Sequence, residues 1–421
     1  MTEREFAVRV VKRLREAGHE ALWAGGCVRD ELLGLSPKDY DVATDARPER
    51  VQQLFRRTIA VGASFGVIEV LGPKSEKGPL KVQVATFRSD VSYSDGRHPD
   101  AVVFATARED ALRRDFTING MFFDPLENKL IDYVGGQQDL KDRILRAIGN
   151  PKHRFQEDKL RMLRGVRLAT RFGLSIEPAT RQAISDMASE ISVVSAERIC
   201  EELKQLLIDP NRAQGVRLLY ETGLLWAIFP ELSGPFDIDR CCATLAALGE
   251  QVTFALALAA LLIDIDPRLV DEVCRRLRLS NNDRRLCVWF VSHAKSLRNA
   301  RQFAYCELKP ILAHEGCDEL LALAQASASA EGDRTDAIDF CRDLLKRWSP
   351  SALDPEPLLT GDDLRKMGVA PGPHYKRILQ TIRDAQLNEE IGSREEAVRF
   401  AEKLLAGERK NSTSGKRDNS T

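Results

Sequence analysis

Two aspartates one residue apart, Asp39 and Asp41, are well suited to bind a hard metal cation. The segment from Lys38 to Ala43 is predicted as a strand, and alternate residues of a strand point to the same side. Both carboxylates are therefore expected to face the same way, and oxygen ligands favour Mg²⁺. An Asp-x-Asp pair is also typical of a solvated surface, so the neighbouring residues are needed to distinguish a metal site from a surface pair.

A glycine pair precedes the aspartates. Gly25 and Gly26 follow a short apolar run and open a predicted helix from Cys27 to Leu33. Glycines let backbone amides approach a phosphate, a helix N-terminus favours an anion, and Arg29 can add a charge-assisted contact. The pattern lacks the Gly-Lys-Ser/Thr of a P-loop ATPase or kinase. Taken by itself, the glycine pair is also compatible with a plain tight turn.

A second group of polar residues lies on a predicted helix from Glu157 to Arg167. Asp158 and Arg161 are expected to be neighbours on one face of that helix. Cytosine and adenine both present an amine beside an unprotonated ring nitrogen. The carboxylate of Asp158 can accept from the amine, and the guanidinium of Arg161 can donate to the ring nitrogen. Uracil or guanine would be mismatched, at about 1–3 kcal/mol per unsatisfied group. We assign Arg164 and Arg167 to the base edge or the phosphates; a solvated basic face is the alternative for the arginines.

The elements that position these residues change character along the chain. Strands and short helices alternate up to about residue 148, whereas helical spacing dominates from Pro151 onward. We therefore predict an α+β fold with a mixed or antiparallel sheet followed by helices. Three further features are predicted: a strand from Ala21 to Ala24, a polar hairpin loop from Gly72 to Pro79, and a flexible loop from Ser89 to Asp100.

The composition limits the class of protein. With 421 residues, 43% of them hydrophobic, the chain can form several compact units. A formal net charge of -1 excludes a globally basic nucleic-acid binder, so RNA contacts have to come from local basic clusters. Nine cysteines without a Cys-x-x-Cys motif, and a start that lacks a secretion signal, predict reduced thiols and a cytoplasmic protein. The apolar run from Phe254 to Ile263 is about half the length that crosses a bilayer, so no membrane contact is expected.

Four segments together resemble the motifs of class II nucleotidyltransferases. Gly25-Gly-Cys-Val-Arg-Asp with Asp39-Tyr-Asp41 resembles motif A of this family, which contains CCA-adding tRNA nucleotidyltransferases and bacterial poly(A) polymerases. The segments that resemble the second, third and fourth motifs are Arg113-Arg-Asp-Phe-Thr-Ile-Asn119, Asp132-Tyr-Val-Gly-Gly136 and Glu157-Asp-x-Leu-Arg-x-x-Arg-x-x-Arg167.

The resemblance implies a polymerase-beta-like head at residues 1–148, a base-selecting neck at 149–210, an RNA-binding body at 211–350 and a tRNA-binding tail at 351–407. Residues 408–421 are expected to be a disordered tail. Asp39 and Asp41 become the catalytic ligands of Mg²⁺. The implied nucleotide-binding residues are Gly25, Gly26, Arg29, Arg114, Asp158, Arg161, Arg164 and Arg167. Asp115 and Asn119 are expected to be local hydrogen-bonding supports.

The expected activity is addition of CCA to the 3' end of tRNA from CTP and ATP, with no DNA partner. The segment from Val61 to Val70 is similar to the CCA-adding pattern, and no His-Asp pair of a phosphohydrolase follows Leu262. Gln83 stands where many relatives carry an acidic residue, which puts a third carboxylate ligand in doubt. The alternatives are a poly(A) polymerase, a CC-adding or A-adding enzyme and, from another class, a non-catalytic RNA-binding protein.

Overall fold

The chain forms two compact units. The computed structural model describes residues 1–62, 66–75, 78–90, 102–369, 372 and 374–414. The first unit comprises Met1–Ile238 and Val273–Leu279, and the second comprises Asp239–Glu272 and the chain from Ser280 onward. The predicted division into head, neck, body and tail is finer than these two units and stays a prediction.

The first unit begins with a seven-stranded mixed sheet. Its strand order is β3-β4-β5-β2-β1-β8-β9, in which only β2 and β5 run parallel. The strands are β1 (Ala21–Ala24), β2 (Asp41–Thr44), β3 (Thr58–Gly62), β4 (Val67–Ser75), β5 (Gly78–Thr86), β8 (Met121–Asp124) and β9 (Lys129–Asp132), with β6 (Arg88–Asp90) and β7 (Val102–Phe104) forming a separate pair. The helices of this region are α1 (Glu3–Glu16), α2 (Gly26–Leu32), α3 (Pro48–Leu54), α4 (Ala107–Leu112) and α5 (Gly136–Lys141). The predicted mixed sheet is confirmed.

Each face of this sheet is covered by its own apolar layer. Helix α1 begins with a capping box between Thr2 and Glu5 and packs its buried face on the sheet. Phe6 lies so close to Gly72 of β4 that a Cβ at Gly72 would be 2.8 Å from its ring. The other face is covered by a buried cluster made of Leu22, Ala24, Ala43, Phe87, Ala107, Ala111 and Phe122. The strands β1 and β2 therefore lie between two apolar layers.

Helices complete the first unit. They are α6 (Pro151–Glu157), α7 (Leu160–Phe172), α8 (Pro178–Met187), α9 (Ala196–Leu207), α10 (Arg212–Glu221) and α11 (Leu224–Ile228), with a short parallel pair β10 (Ile144–Leu145) and β11 (Ser175–Ile176). A Cβ at Gly165 of α7 would lie 2.9 Å from the ring of Phe116. This close approach fixes α7 against the segment that follows α4.

Every regular element in the described residues of the second unit is a helix. The remaining helices of the chain are α12 (Ile238–Ala247), α13 (Phe254–Leu261), α14 (Pro267–Arg276), α15 (Asn281–Ala294), α16 (Tyr305–Leu312), α17 (Cys317–Glu331), α18 (Asp336–Arg347), α19 (Pro350–Leu353), α20 (Gly361–Lys366), α21 (His374–Leu387) and α22 (Arg394–Ser414). Helix α14 is divided between the units, since its residues from Val273 onward belong to the first. Every residue of α13 is buried. In the part of the chain that the structure describes, no helix is both long and apolar enough to cross a membrane.

Two predicted loops and the predicted C-terminal tail differ from the structure or fall partly outside the described residues. The polar segment from Gly72 to Pro79 is mostly strand, because the β4–β5 ladder continues past a bulge to the pair Ser75 and Gly78. Ser89 lies on β6, and residues 91–100 of the predicted flexible loop lie outside the described residues. Helix α22 continues to Ser414 and the remaining seven residues are not described, so the disordered tail expected at residues 408–421 stays a prediction.

Candidate active site

The glycine pair connects β1 to α2. Gly25 precedes the first turn of α2 with φ 75° and ψ -128°, a conformation that side chains rarely adopt. A Cβ at Gly25 would also lie 3.0 Å from Nη1 of Arg114. The predicted strand, turn and helix are confirmed, and the turn brings Arg114 close to the start of α2.

The two aspartates line one cleft but do not share a strand. Strand β2 begins at Asp41, so the prediction that Asp39 also lies on it is wrong. The intervening Tyr40 is 5% exposed, donates a hydrogen bond to Glu31 of α2 at 2.8 Å and packs on the ring of Trp23 at 4.8 Å. Side-chain contacts, rather than ladder hydrogen bonds, therefore hold the backbone at Asp39.

The cleft beside these aspartates has a volume of about 600 Å³. It is lined by Gly26, Cys27, Arg29, Asp30, Lys38, Asp39, Asp41, Arg167, Arg171, Gln205, Ile208, Asp209 and Pro210. Five predicted site residues are thus brought together, namely Gly26, Arg29, Asp39, Asp41 and Arg167. The sequence reasoning missed Lys38 and Arg171. Arg171 follows Arg167 by four residues, a spacing that predicts the same helical face.

The charge around Asp41 fits a divalent cation. The pKa of Asp41 is raised, mainly because surrounding protein atoms displace solvent from its carboxylate, although this carboxylate is reachable from the cleft. The positive charge of Arg114 lowers the pKa, and the negative charge of Asp39 raises it further. Two carboxylates that repel each other in this way would be relieved by a cation between them. Cys27 lies nearby, but burial raises the pKa of its thiol to about 12, so it stays protonated and is a poor nucleophile.

Arg29 is buried and largely occupied by protein partners. Its Nε and Nη2 donate to Oδ1 of Asp30 at 2.9 and 2.6 Å, and its Nη1 donates to Oδ1 of Asn119 at 2.6 Å. Its guanidinium also lies 4.2 Å from the ring centre of Phe172. Nη1 and Nη2 each keep one N–H that is not used by a protein partner, so Arg29 can still donate up to two hydrogen bonds to a phosphate.

Two hydrogen bonds and an ion pair connect buried Arg29 to Arg164, an exposed residue of helix α7. Asn119 donates from Nδ2 to Oδ1 of Asp115 at 3.0 Å, and the other Asp115 oxygen lies 3.2 Å from Nε of Arg164. Burial alone would raise the pKa of Asp115, but Arg164 and Asn119 hold it below its ordinary value. The predicted supporting roles of Asp115 and Asn119 are confirmed.

Arg114 and Arg167 are each held by an ion pair. Arg114 bonds to Asp110 at 2.9 Å and donates to the carbonyl oxygen of Asn119 at 3.2 Å. Arg167 pairs with Glu202 of α9 while lining the cleft. Both guanidinium groups are therefore positioned before any ligand arrives.

The predicted helix from Glu157 to Arg167 is two helices. Asp158 lies between α6 and α7 with extended backbone, φ -149° and ψ 107°, so the prediction that it shares a helical face with Arg161 is wrong. Its carboxylate accepts the N–H of Leu160 at 3.1 Å, which favours a new helix start over continuation of α6.

Asp158 and Arg161 have separate partners. Arg198 of α9 binds both oxygens of Asp158, at 2.7 and 3.2 Å. Arg161 donates to Glu157 at 2.5 Å and to the carbonyl oxygen of Arg154 at 3.1 Å. Asp158, Arg161 and Arg164 are not among the residues that line the cleft, so the predicted site falls into two groups.

Gln83 lies directly beside Asp41 in the parallel pair of β2 and β5. An amide therefore occupies the place next to Asp41 where a third carboxylate would stand. Across the described ranges, no three His, Cys, Asp or Glu residues gather closely enough to hold a metal ion. The candidate metal ligands remain Asp39 and Asp41.

Comparisons with known proteins agree with this architecture. Residues 21–146 match the poly(A) polymerase head domain, and residues 173–234 match a probable RNA and SrmB-binding site of polymerase A. The CCA-adding enzyme of Levilactobacillus brevis is 31% identical over 381 residues, which cover 90% of this chain and 92% of that protein. Poly(A) polymerase I of Escherichia coli O157:H7 is 39% identical over 246 residues, which cover 55% of this chain and 51% of that protein.

Solved structures of CCA-adding enzymes share the fold. The enzyme of Bacillus stearothermophilus, solved in complex with CTP, is 27% identical with a TM-score of 0.77 and covers 98% of this chain and 100% of its own. The enzyme of Thermotoga maritima, at 21% identity and a TM-score of 0.66, agrees in fold over 95% of both chains. Enzymes of this kind are nucleotidyltransferases that generally use divalent metal ions. With a relative matched over nine-tenths of its length, the chain belongs to the family of CCA-adding enzymes and bacterial poly(A) polymerases.

Proposed function

We propose that this enzyme adds C, C and A to the 3' end of tRNA from CTP and ATP. The observation that carries the choice within the family is coverage. Similarity to the Levilactobacillus brevis CCA-adding enzyme extends over 92% of that protein, whereas similarity to Escherichia coli poly(A) polymerase I stops at 51%. Identity alone does not discriminate, since the CCA-adding enzyme of Bacillus velezensis is also 39% identical over 235 residues.

The proposed reaction is a direct displacement at the α-phosphorus of the nucleotide. The 3'-oxygen of the RNA forms a bond to this phosphorus while the bond to the bridging oxygen breaks. Pyrophosphate leaves with the electron pair, and the hydroxyl proton passes to solvent. Asp39 and Asp41 would hold Mg²⁺, which supplies a lowered pKa at the attacking hydroxyl and neutralises charge on the phosphates.

The remaining site residues bind and orient the nucleotide in this proposal. The phosphates lie toward Gly25, Gly26, Arg29, Arg114 and Arg167, which border Asp41 or its cleft.

The base lies toward Asp158, Arg161 and Arg164. Three hydrogen bonds already occupy the carboxylate of Asp158, two from Arg198 and one from Leu160. A carboxylate has about four acceptor sites, so one remains for the amine of cytosine or adenine.

The cellular setting and domain roles belong to the same proposal. All nine cysteines are free thiols, which fits a reducing compartment such as the cytoplasm. Residues 1–148 would act as the catalytic head, 149–210 as the base-selecting neck, and 211–350 and 351–407 as RNA-binding body and tail.

Incubation with Mg²⁺, each labelled nucleotide and a tRNA that lacks its end tests the proposal. We expect two C and one A to be added. A run of A indicates a poly(A) polymerase, C alone a CC-adding enzyme and A alone an A-adding enzyme. Absence of incorporation contradicts catalysis and favours the non-catalytic alternative.

The metal site is tested by Asp39→Ala, which should abolish incorporation and leave tRNA binding intact. Asp45→Ala is the matched control, because Asp45 is an exposed aspartate of the same segment that does not line the cleft. Activity that survives Asp39→Ala would show that the metal ligands are wrongly assigned.

A further inference from the structure

Two basic side chains in the cleft have no anionic partner among the residues that the structure describes. Arg29 and Arg167 are bound by Asp30 and Glu202. Lys38 and Arg171 line the same cleft with exposed side chains, and neither makes a hydrogen bond or ion pair with any other residue that the structure describes. Solvated surface cations are common, but these two face a cleft that also holds two metal-binding aspartates.

Arg171 is held in place at the rim of the cleft. Its guanidinium carbon lies 5.0 Å from the ring centre of Phe172, and that of Arg29 lies 4.2 Å from the same ring. Both cations therefore share one aromatic ring. Burial lowers the pKa of Arg29, Asp30 opposes this, and the positive charge of Arg171 lowers the pKa further. The two guanidinium groups repel each other, and an anion between them would remove that repulsion.

Lys38 adds a second free cation next to the metal ligands. It directly precedes Asp39 in the chain, so its charge enters the cleft beside the candidate metal site. An anion that contacts both the metal and these cations has to carry charge at more than one position. The polyphosphate of a nucleoside triphosphate carries its charges on directly linked phosphates, whereas successive phosphates of an RNA strand are separated by a ribose.

We propose that Lys38 and Arg171 form a subsite for the β- and γ-phosphates of the incoming nucleotide. The proposal rests on the nucleotidyl transfer inferred above. The subsite would hold the part of the triphosphate that leaves as pyrophosphate. Arg29 and Arg167, which are already paired, would stay nearer the α-phosphate.

Equilibrium binding of CTP and CMP in the presence of Mg²⁺ tests this subsite without requiring turnover. Arg171→Gln and Lys38→Gln should each weaken CTP binding at least about tenfold, as expected for the loss of a charge-assisted contact, and leave CMP binding unchanged. Pyrophosphate should inhibit both variants correspondingly less. Arg171→Lys, which keeps the charge, should retain most of the CTP affinity.

Arg9→Gln is the matched control, because Arg9 is an exposed arginine of α1 that does not line the cleft. Equal weakening of CTP and CMP, or unchanged binding of both, would overturn the subsite. A raised KM for tRNA with unchanged CTP binding would also overturn it and assign the two cations to the RNA. The proposed function fails separately, if the unmodified protein binds CTP but incorporates no nucleotide into tRNA.

Discussion

Asn119 joins the two halves of the candidate site, and its removal should be costly. It accepts a hydrogen bond from Arg29 at 2.6 Å and donates one to Asp115 at 3.0 Å, and all three residues are buried. Hydrogen bonds to charged groups contribute about 1.5–3 kcal/mol each. Asn119→Ala should therefore destabilise the first unit by about 3–5 kcal/mol, which corresponds to a fall in melting temperature of about 10 °C.

A same-sized variant separates the two hydrogen bonds. Asn119→Asp keeps an acceptor for Arg29 but sets a carboxylate against Asp115. In the unmodified protein the pKa of Asp115 is already below its ordinary value of 3.8, so its contribution to stability is complete above that pH and is lost only in stronger acid. Between pH 7 and pH 5 the unmodified protein should not change through this group. The variant should recover stability over this range as one carboxylate of the pair takes up a proton.

Thermal unfolding followed by circular dichroism at both pH values measures these effects. Gln137→Ala serves as a control, because Gln137 is an exposed amide in the same unit. The network argument is refuted if Asn119→Ala melts within about 2 °C of the unmodified protein, since the expected loss is several kcal/mol. It is also refuted if the deficit of Asn119→Asp does not shrink on acidification.

Two further substitutions test close packing and metal placement. Gly136→Ala should destabilise the protein by about 3 kcal/mol or more, because the new Cβ would lie 2.2 Å from the carbonyl oxygen of Thr117. Gly234→Ala is the control, because a Cβ at Gly234 would meet nothing within 4 Å. Equal melting temperatures for these two variants would contradict the clash. Tyr40→Phe removes the hydrogen bond to Glu31, so it should lower the free energy of unfolding by only about 1 kcal/mol. It should also raise the Mg²⁺ concentration needed for half-maximal activity. An unchanged Mg²⁺ requirement would show that this hydrogen bond does not position the adjacent aspartates.

Features set by neighbouring residues were predictable from the sequence. Strand β1 has the predicted bounds, and the caps at Thr2 and Thr106 form as the local patterns indicate. Each depends on apolar spacing or on a polar residue three positions away. The turn at Gly25 that leads into α2 was likewise predictable from the adjacent residues.

Features set by distant contacts were not predictable in this way. The chain ends α6 before Asp158 and holds that carboxylate with Arg198, which is 40 residues away. Asn119 reaches Arg29 across 90 residues. Helical periodicity continues through Asp158, so no local pattern indicates the break. The motifs identify which side chains matter, but tertiary contacts decide which of them meet.

The position of Gln83 has an evolutionary consequence. It is paired with Asp41 in register, so a carboxylate at residue 83 would stand beside the metal ligands without any change of backbone. Codons for glutamine and glutamate differ by a single base. The strand pairing therefore places sites with two and three carboxylates one point mutation apart, with the rest of the sheet unchanged.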